Sequence, residues 1–389
     1  MRNPFEYGNV VGEKSFCNRK EELEKLKRVF ENSERLFLYS ERRLGKTSLI
    51  KLALYNLPKN TYITAYADLW STNSEAEFAL ALAKAVTEAA ATATTKLLSL
   101  AKNVFGSLSP AVTTDEEGKP QVVFGINKEN LNPPALDEVL EAVPNIARQT
   151  KKRLVIVLDE FQQIAEYKSD TAERRLRSAI QHHGEIAYVF LGSRKHLIQK
   201  MFLDKQRPLY RSAAHYQLQP IAANHWIPFI RGKFLQSAKN ISDAQIKKLC
   251  MFTEGHPFYT QHLCHALWEL TETNSTIQGD MLVQAINLLL EQENYTFTTL
   301  WDSLAVNQKI LLNAIAIAPA EFKPFGTDFL KHSGIGSASN VQRAADALLI
   351  KDLIDRNESG SFVIPDRFLK LWLKRRISGG LPYYDSPLA

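Results

Sequence analysis

Apolar and polar positions fall into two rhythms along this chain. In the first half, short unbroken apolar runs alternate with longer segments of helical period. Leu36, Phe37, Leu38 and Tyr39 form one run, Leu154 to Leu158 a second, and "IAYVFLGSRKHLI" (186–198) opens with a third. Apolar runs closed by polar residues predict strands buried on both faces, as in a parallel sheet. "NTYITAYADLWS" (60–71) reads as another strand. Between them, Leu49, Ile50, Leu52 and Leu54 mark a helix packed on a sheet, and the alanine-rich stretch 74–105 marks a second. Residues 109–126 alternate about an acidic turn, which predicts a hairpin insert. Strands alternating with helices give an α/β fold with a covered parallel sheet.

From residue 222 the period is helical throughout. "NHWIPFIRGKFLQ", "SDAQIKKLCMFT" and "HPFYTQHLCHALWELT" are amphipathic, the second with Ser242 as its N-cap. They predict a small helical lid domain over 222–298. Residues 299–376 read as three helices and a hairpin, with a C-terminal tail to 389. Val341, Ala344, Ala345, Leu348 and Leu349 share one helix face, and the hairpin turns at Glu358-Ser359-Gly360. That order is a winged-helix pattern.

At 389 residues the chain exceeds one ordinary core, so the division is 1–221, 222–298 and 299–389. A net charge of +6 permits nucleic acid or acidic partners without requiring either. Three scattered cysteines, Cys17, Cys250 and Cys264, fit a reducing compartment. No apolar stretch has the length of a signal peptide or a membrane span. The expectation is a cytoplasmic protein without membrane insertion. His256, His262, Cys264 and His265 splay around a helix without zinc spacing and read as ordinary helix residues.

The chemistry gathers where an apolar run meets Leu-Gly-Lys-Thr. Strand, loop and helix over 36–54 are the setting of a phosphate loop, G-x-x-x-x-G-K-[ST]. The loop and helix start hold Ser40, Glu41, Arg42, Arg43, Leu44, Gly45, Lys46, Thr47 and Ser48. Backbone N–H groups and the helix dipole would attract phosphate. Lys46 would reach the β- and γ-phosphates of ATP, and Thr47 would ligate Mg²⁺. Ser40 stands where the pattern has glycine, and a small residue at negative φ would serve there. The second half of the site is Asp159-Glu160, closing the run at 154–158. Asp159 would hold Mg²⁺ and Glu160 would polarise the attacking water. Ser193-Arg194 closes the third run, where such ATPases sense the γ-phosphate.

Taken in order, these motifs resemble the archaeal-type P-loop ATPases of the STAND class, relatives of AAA+ proteins and of origin-binding initiator ATPases. Phe16, Arg19, Glu22 and Leu23 match the family's F-x-x-R-x-x-E-L element beside adenine. "RPLYRSAAHYQLQPI" is similar to its P-L-Y element. Gly255-His256-Pro257 matches the lid turn whose proline packs on adenine, and Asp366, Phe368, Trp372 and Leu373 match its terminal segment. The resemblance implies slow ATP hydrolysis used as a conformational switch, with a protein partner or self-association. The alternative is an initiator- or loader-like ATPase with its winged helix on duplex DNA. A third reading, an ATP-binding scaffold with little catalysis, rests on Ser40 alone.

On the predicted recognition helix the outward positions are Asn340, Gln342, Arg343, Asp346 and Lys351. Two cations and an acid are thin for neutralising several phosphates, so DNA is possible but not favoured. The loader reading would also need an arginine supplied in trans. Arg207 and Arg211 lie where AAA+ subunits present one.

Overall fold

A computed structural model of the chain describes residues 2–8, 16–90, 105, 110–114, 120–124, 136–193, 197, 201–319, 321–357 and 359–380. They form two compact units, Arg19–Gln219 and residues 1–18 with 220–389.

The first unit is built on a parallel sheet. Its elements are α1 (Lys20–Glu31), β1 (Arg35–Tyr39), α2 (Lys46–Tyr55), β2 (Tyr62–Asp68), α3 (Glu75–Ala90), β3 (Pro110–Thr114) and β4 (Pro120–Phe124). Then come α4 (Leu136–Thr150), β5 (Arg153–Asp159), a 3₁₀ turn at Phe161–Glu166, α5 (Thr171–His182), β6 (Ile186–Gly192) and β7 (Ala214–Gln217). Five strands run in the order β2-β5-β6-β1-β7, every pair parallel. The apolar runs explain why: β6 is buried along its whole length and β5 beyond Arg153, so both faces need covering. Register sets Asp68 beside Asp159 and Tyr66 beside Val157. The chain leaves β1 through α2 and returns three places away, so the carboxyl end of β1 is where ligands bind in such sheets.

The predicted hairpin is present as β3 and β4, with Val112 opposite Val122. It lies along α3, where Lys84 Nζ donates to Gln121 Oε1 at 2.9 Å. The helix read over 74–105 is described as Glu75–Ala90; residues 91–104 lie outside the described residues.

The second unit is helical: α6 (Ala223–Gln236), α7 (Asp243–Thr253), α8 (Pro257–Leu270), α9 (Gly279–Gln292), α10 (Asn294–Asp302) and α11 (Val306–Ile317). It ends with α12 (Thr327–Ser333), α13 (Ala338–Ile350), the strands β8 (Asp355–Arg356) and β9 (Phe362–Val363), and α14 (Arg367–Ser378). Ser242 caps α7 in a capping box with Gln245. Gly255 is at φ 66, and a Cβ there would meet the Ile221 carbonyl oxygen at 2.2 Å. The α13 face read from the sequence is buried at Val341, Ala344, Ala345 and Leu348, with Leu349 half-buried. Asp366 caps α14 through the N–H groups of Phe368 and Leu369.

One hydrophobic cluster runs through this unit from Trp226 to Leu373. The N-terminal segment belongs to it. Phe5 is 1% exposed and packs on Phe234 at 5.1 Å, while Lys233 Nζ donates to the Pro4 carbonyl at 2.6 Å. The sequence division at 221 put these residues with the sheet. They group instead with the helices, because α6 and α8 offer Phe5 an apolar seat and their polar groups bind its backbone.

Candidate active site

The loop after β1 is shaped by backbone angles. Gly45 caps α2 at φ 92, where open space lies around a would-be Cβ, so glycine is needed for conformation and not for room. Arg43 is left-handed too, at φ 60. Ser40 is not, which removes the need for glycine at that position. Its hydroxyl, 1% exposed, donates to the Glu41 carbonyl at 2.8 Å and accepts from Lys46 Nζ at 3.1 Å. Leu44 and Ser48 are buried, Glu41 half-buried, and Arg42 and Arg43 exposed.

Lys46 is a buried amine. It is 6% exposed, and among the described residues its hydrogen-bond acceptors are the neutral oxygens of Ser40 and Glu41. Burial pushes its pKa down to about 8, against the opposing pull of Glu160 and Asp159. No side chain caps α2, so its first N–H groups depend on other acceptors. A buried cation beside an uncapped helix start fits an anion.

Asp159 ends β5, 4% exposed. Its Oδ1 accepts from the Glu160 N–H at 2.8 Å, and its Oδ2 from Thr47 Oγ1 at 3.1 Å and from the Tyr66 hydroxyl. Burial, then Asp159 itself, raises the Tyr66 pKa well above the usual phenol range. Thr47 and Asp159 thus offer two adjacent oxygen ligands, the donor type that Mg²⁺ takes alongside retained water. Glu160 is left-handed at φ 50. Its Oε2 accepts from Ser193 Oγ at 2.9 Å and from Gln162 Nε2.

The fold therefore brings together Ser40, Lys46, Thr47, Asp159, Glu160 and Ser193. Arg194 lies outside the described residues. Arg19 belongs to the same unit, buried at φ 76 and paired with Glu22 at 2.8 Å, with its Nη2 unpartnered among the described residues. Pro257 is the first residue of α8 in the other unit. The candidate trans arginines differ in state. Arg207 pairs with Glu173, which is 1% exposed and whose pKa burial lifts to about 7. Arg211 is exposed, its guanidinium 5.2 Å from the Tyr210 ring. Tyr66 and Gln162 were missed from the sequence. A hydroxyl two residues before the end of β2, and an amide two residues after the acidic pair, were the available signals.

A parallel sheet with a lysine-bearing loop after β1 and an acidic pair closing β5 defines a P-loop NTPase core. Residues 16–263 match the family described as "ATPase domain predominantly from Archaea", more than half of the chain, and the chain belongs to that family. Residues 295–375 match a "Probable winged helix domain". Among solved structures, the Walker-type ATPase of Pyrococcus abyssi is similar at TM-score 0.62 and 16% identity, covering 93% of this chain and 97% of that one. The ORC2 protein of Aeropyrum pernix, in ADPNP–ADP complexes, is similar at TM-score 0.53 and 14% identity, covering 96% and 99%. At these identities the likeness is one of fold. No curated protein matches the chain in sequence. Among the described residues, no helix is long and apolar enough to cross a membrane, and no group of three or more His, Cys, Asp or Glu forms a metal cluster.

Proposed function

We propose that the chain is a cytoplasmic, Mg²⁺-dependent ATPase of the STAND class whose slow turnover works as a conformational switch on a protein partner or a second copy. The supporting observation is the convergence of Lys46, Thr47, Asp159, Glu160 and Ser193 at the carboxyl ends of β1, β5 and β6. Lys46 and the N–H groups opening α2 bind the phosphates. Thr47 and Asp159 would hold Mg²⁺, which would supply charge neutralisation at the phosphate oxygens. Glu160 takes the proton of the water that attacks the γ-phosphorus, ADP leaves, and Ser193 and Arg194 respond to the presence of the γ-phosphate. Arg19 has the adenine-side role that the resemblance implies.

The initiator-like alternative needs α13 to meet duplex DNA. Two outward side-chain pairs on that helix are closed on themselves: Gln342 Nε2 with Asp346 Oδ1 and Arg343 Nη2 with Asn340 Oδ1, each at 2.7 Å. That favours a protein partner.

The test is limited proteolysis with ATP, with ADP and without nucleotide, alongside phosphate release. Glu160→Gln is expected to bind ATP, release no phosphate and stay in the ATP digestion pattern. Lys46→Ala is expected to show the nucleotide-free pattern throughout. One pattern common to all three conditions in the wild type would rule out the switch.

A further inference from the structure

We propose that Gln162 is a positioning residue for turnover: its side-chain amide holds the carboxylate of Glu160 and sets which oxygen of that carboxylate is left to take a proton. The proposal rests on reading Glu160 as the base.

Gln162 follows Glu160 in the 3₁₀ turn that closes β5. The left-handed backbone at Glu160 (φ 50, ψ 40) reverses the chain there, and the Glu160 and Gln162 side chains meet. An ionised carboxylate only accepts hydrogen bonds, so the amide must present its nitrogen to Glu160. The same choice leaves the Gln162 oxygen with no partner, although the residue is 2% exposed. An apolar side chain of equal length would fill this position without a buried orphan oxygen. The one hydrogen bond this side chain makes among the described residues is the one to Glu160.

That bond falls on Oε2, the oxygen that also accepts from Ser193 Oγ at 2.9 Å. Two donors on one oxygen fix the rotation of the carboxylate. They also direct Oε1, which makes no hydrogen bond among the described residues, to the task of accepting a proton. The donors come from different elements, the turn after β5 and the end of β6, so Glu160 is gripped from both sides. Losing the Gln162 grip frees the carboxylate to rotate. Neither group hydrogen-bonds Lys46 among the described residues, so affinity and rate are expected to separate.

The experiment compares wild type, Gln162→Met and Gln162→Glu, with Glu160→Gln as a control. Three quantities are read: kcat, the Kd of a fluorescent ATP analogue with Mg²⁺, and Tm. Methionine keeps the length and removes the donor; kcat is expected to fall about tenfold, with Kd within about twofold and Tm unchanged or higher. Glutamate keeps the shape but sets a second carboxylate against Oε2, so its kcat is expected to fall further. A packing role would instead rank glutamate with the wild type and methionine lower. Wild-type kcat in the methionine variant, or a fall in kcat and Tm together with a rise in Kd, would overturn the assignment while leaving the base reading intact. Turnover surviving in Glu160→Gln would overturn both.

Discussion

The hydroxyl of Thr47 and the carboxylate of Asp159 meet at 3.1 Å across 112 residues of sequence. Neither segment alone is a site. The contact exists because β1 and β5 sit one strand apart, with β6 between them, and end at the same edge of the sheet.

Tyr66 shares Asp159 Oδ2 with Thr47 and orients the carboxylate from β2. Partners of metal ligands commonly contribute about ten- to a hundredfold to metal affinity. Tyr66→Phe is therefore expected to raise the Mg²⁺ midpoint for nucleotide binding about tenfold, with metal-free binding unchanged. A Mg²⁺ titration against a fluorescent nucleotide reads this directly. An unmoved midpoint would make Tyr66 a packing residue.

Ser40 Oγ takes a hydrogen bond of Lys46 that a phosphate would otherwise receive. Its backbone does not need glycine but accepts one, so Ser40→Gly should keep the loop and free the ammonium. Removing one such hydrogen bond is worth about 1 kcal/mol, or roughly fivefold tighter nucleotide binding. Isothermal titration would show it, and weaker binding would mean that Ser40 supports the loop instead.

The depressed pKa of Lys46 has a consequence for stability. In the unfolded chain the amine keeps its proton up to its ordinary value of 10.5, and in the fold only up to about 8. Between these values the unfolded state binds more protons, so the Lys46 contribution to stability rises with pH. At pH 7 the buried charge costs about 3 kcal/mol. Nucleotide-free Lys46→Met is expected to be more stable by that amount at pH 7, with the gain gone above pH 10.5. Urea unfolding of both proteins across this range is the check; a constant difference would place the gain elsewhere.

Arg207 and Arg211 should separate cleanly. Arg207 neutralises a carboxylate that is almost wholly buried, so Arg207→Ala is expected to cost about 2–4 kcal/mol of stability. Arg211→Ala should stay within about 0.5 kcal/mol, leaving any rate effect readable as catalysis by a neighbouring copy. Equal stabilities for the two variants would reopen Arg207 as a trans residue.

These residues also show where sequence reading stops. β1, β5 and β6 were legible because full burial leaves an unbroken apolar signature, and the loop after β1 and the acidic pair stood out as candidates because they close such runs. Tyr66 was hidden because its meaning depends on register, Tyr66 beside Val157 and Asp68 beside Asp159. Gln162 was hidden because only the left-handed turn at Glu160 brings it back onto its neighbour. The Arg207 pairing was hidden for a related reason: its position along the chain does not show that α5 places Glu173 to receive it.

The seat of Phe5 among the α6 and α8 side chains bears on how this protein can be cut. The helical unit is not one interval of sequence: it joins residues 1–18 to 220–389. A gene fragment opening at residue 220 would encode every helix from α6 to α14 and still lack a fully buried phenylalanine, leaving a void of the kind that costs about 3–5 kcal/mol. Supplying residues 2–8 as a separate peptide should restore that stability.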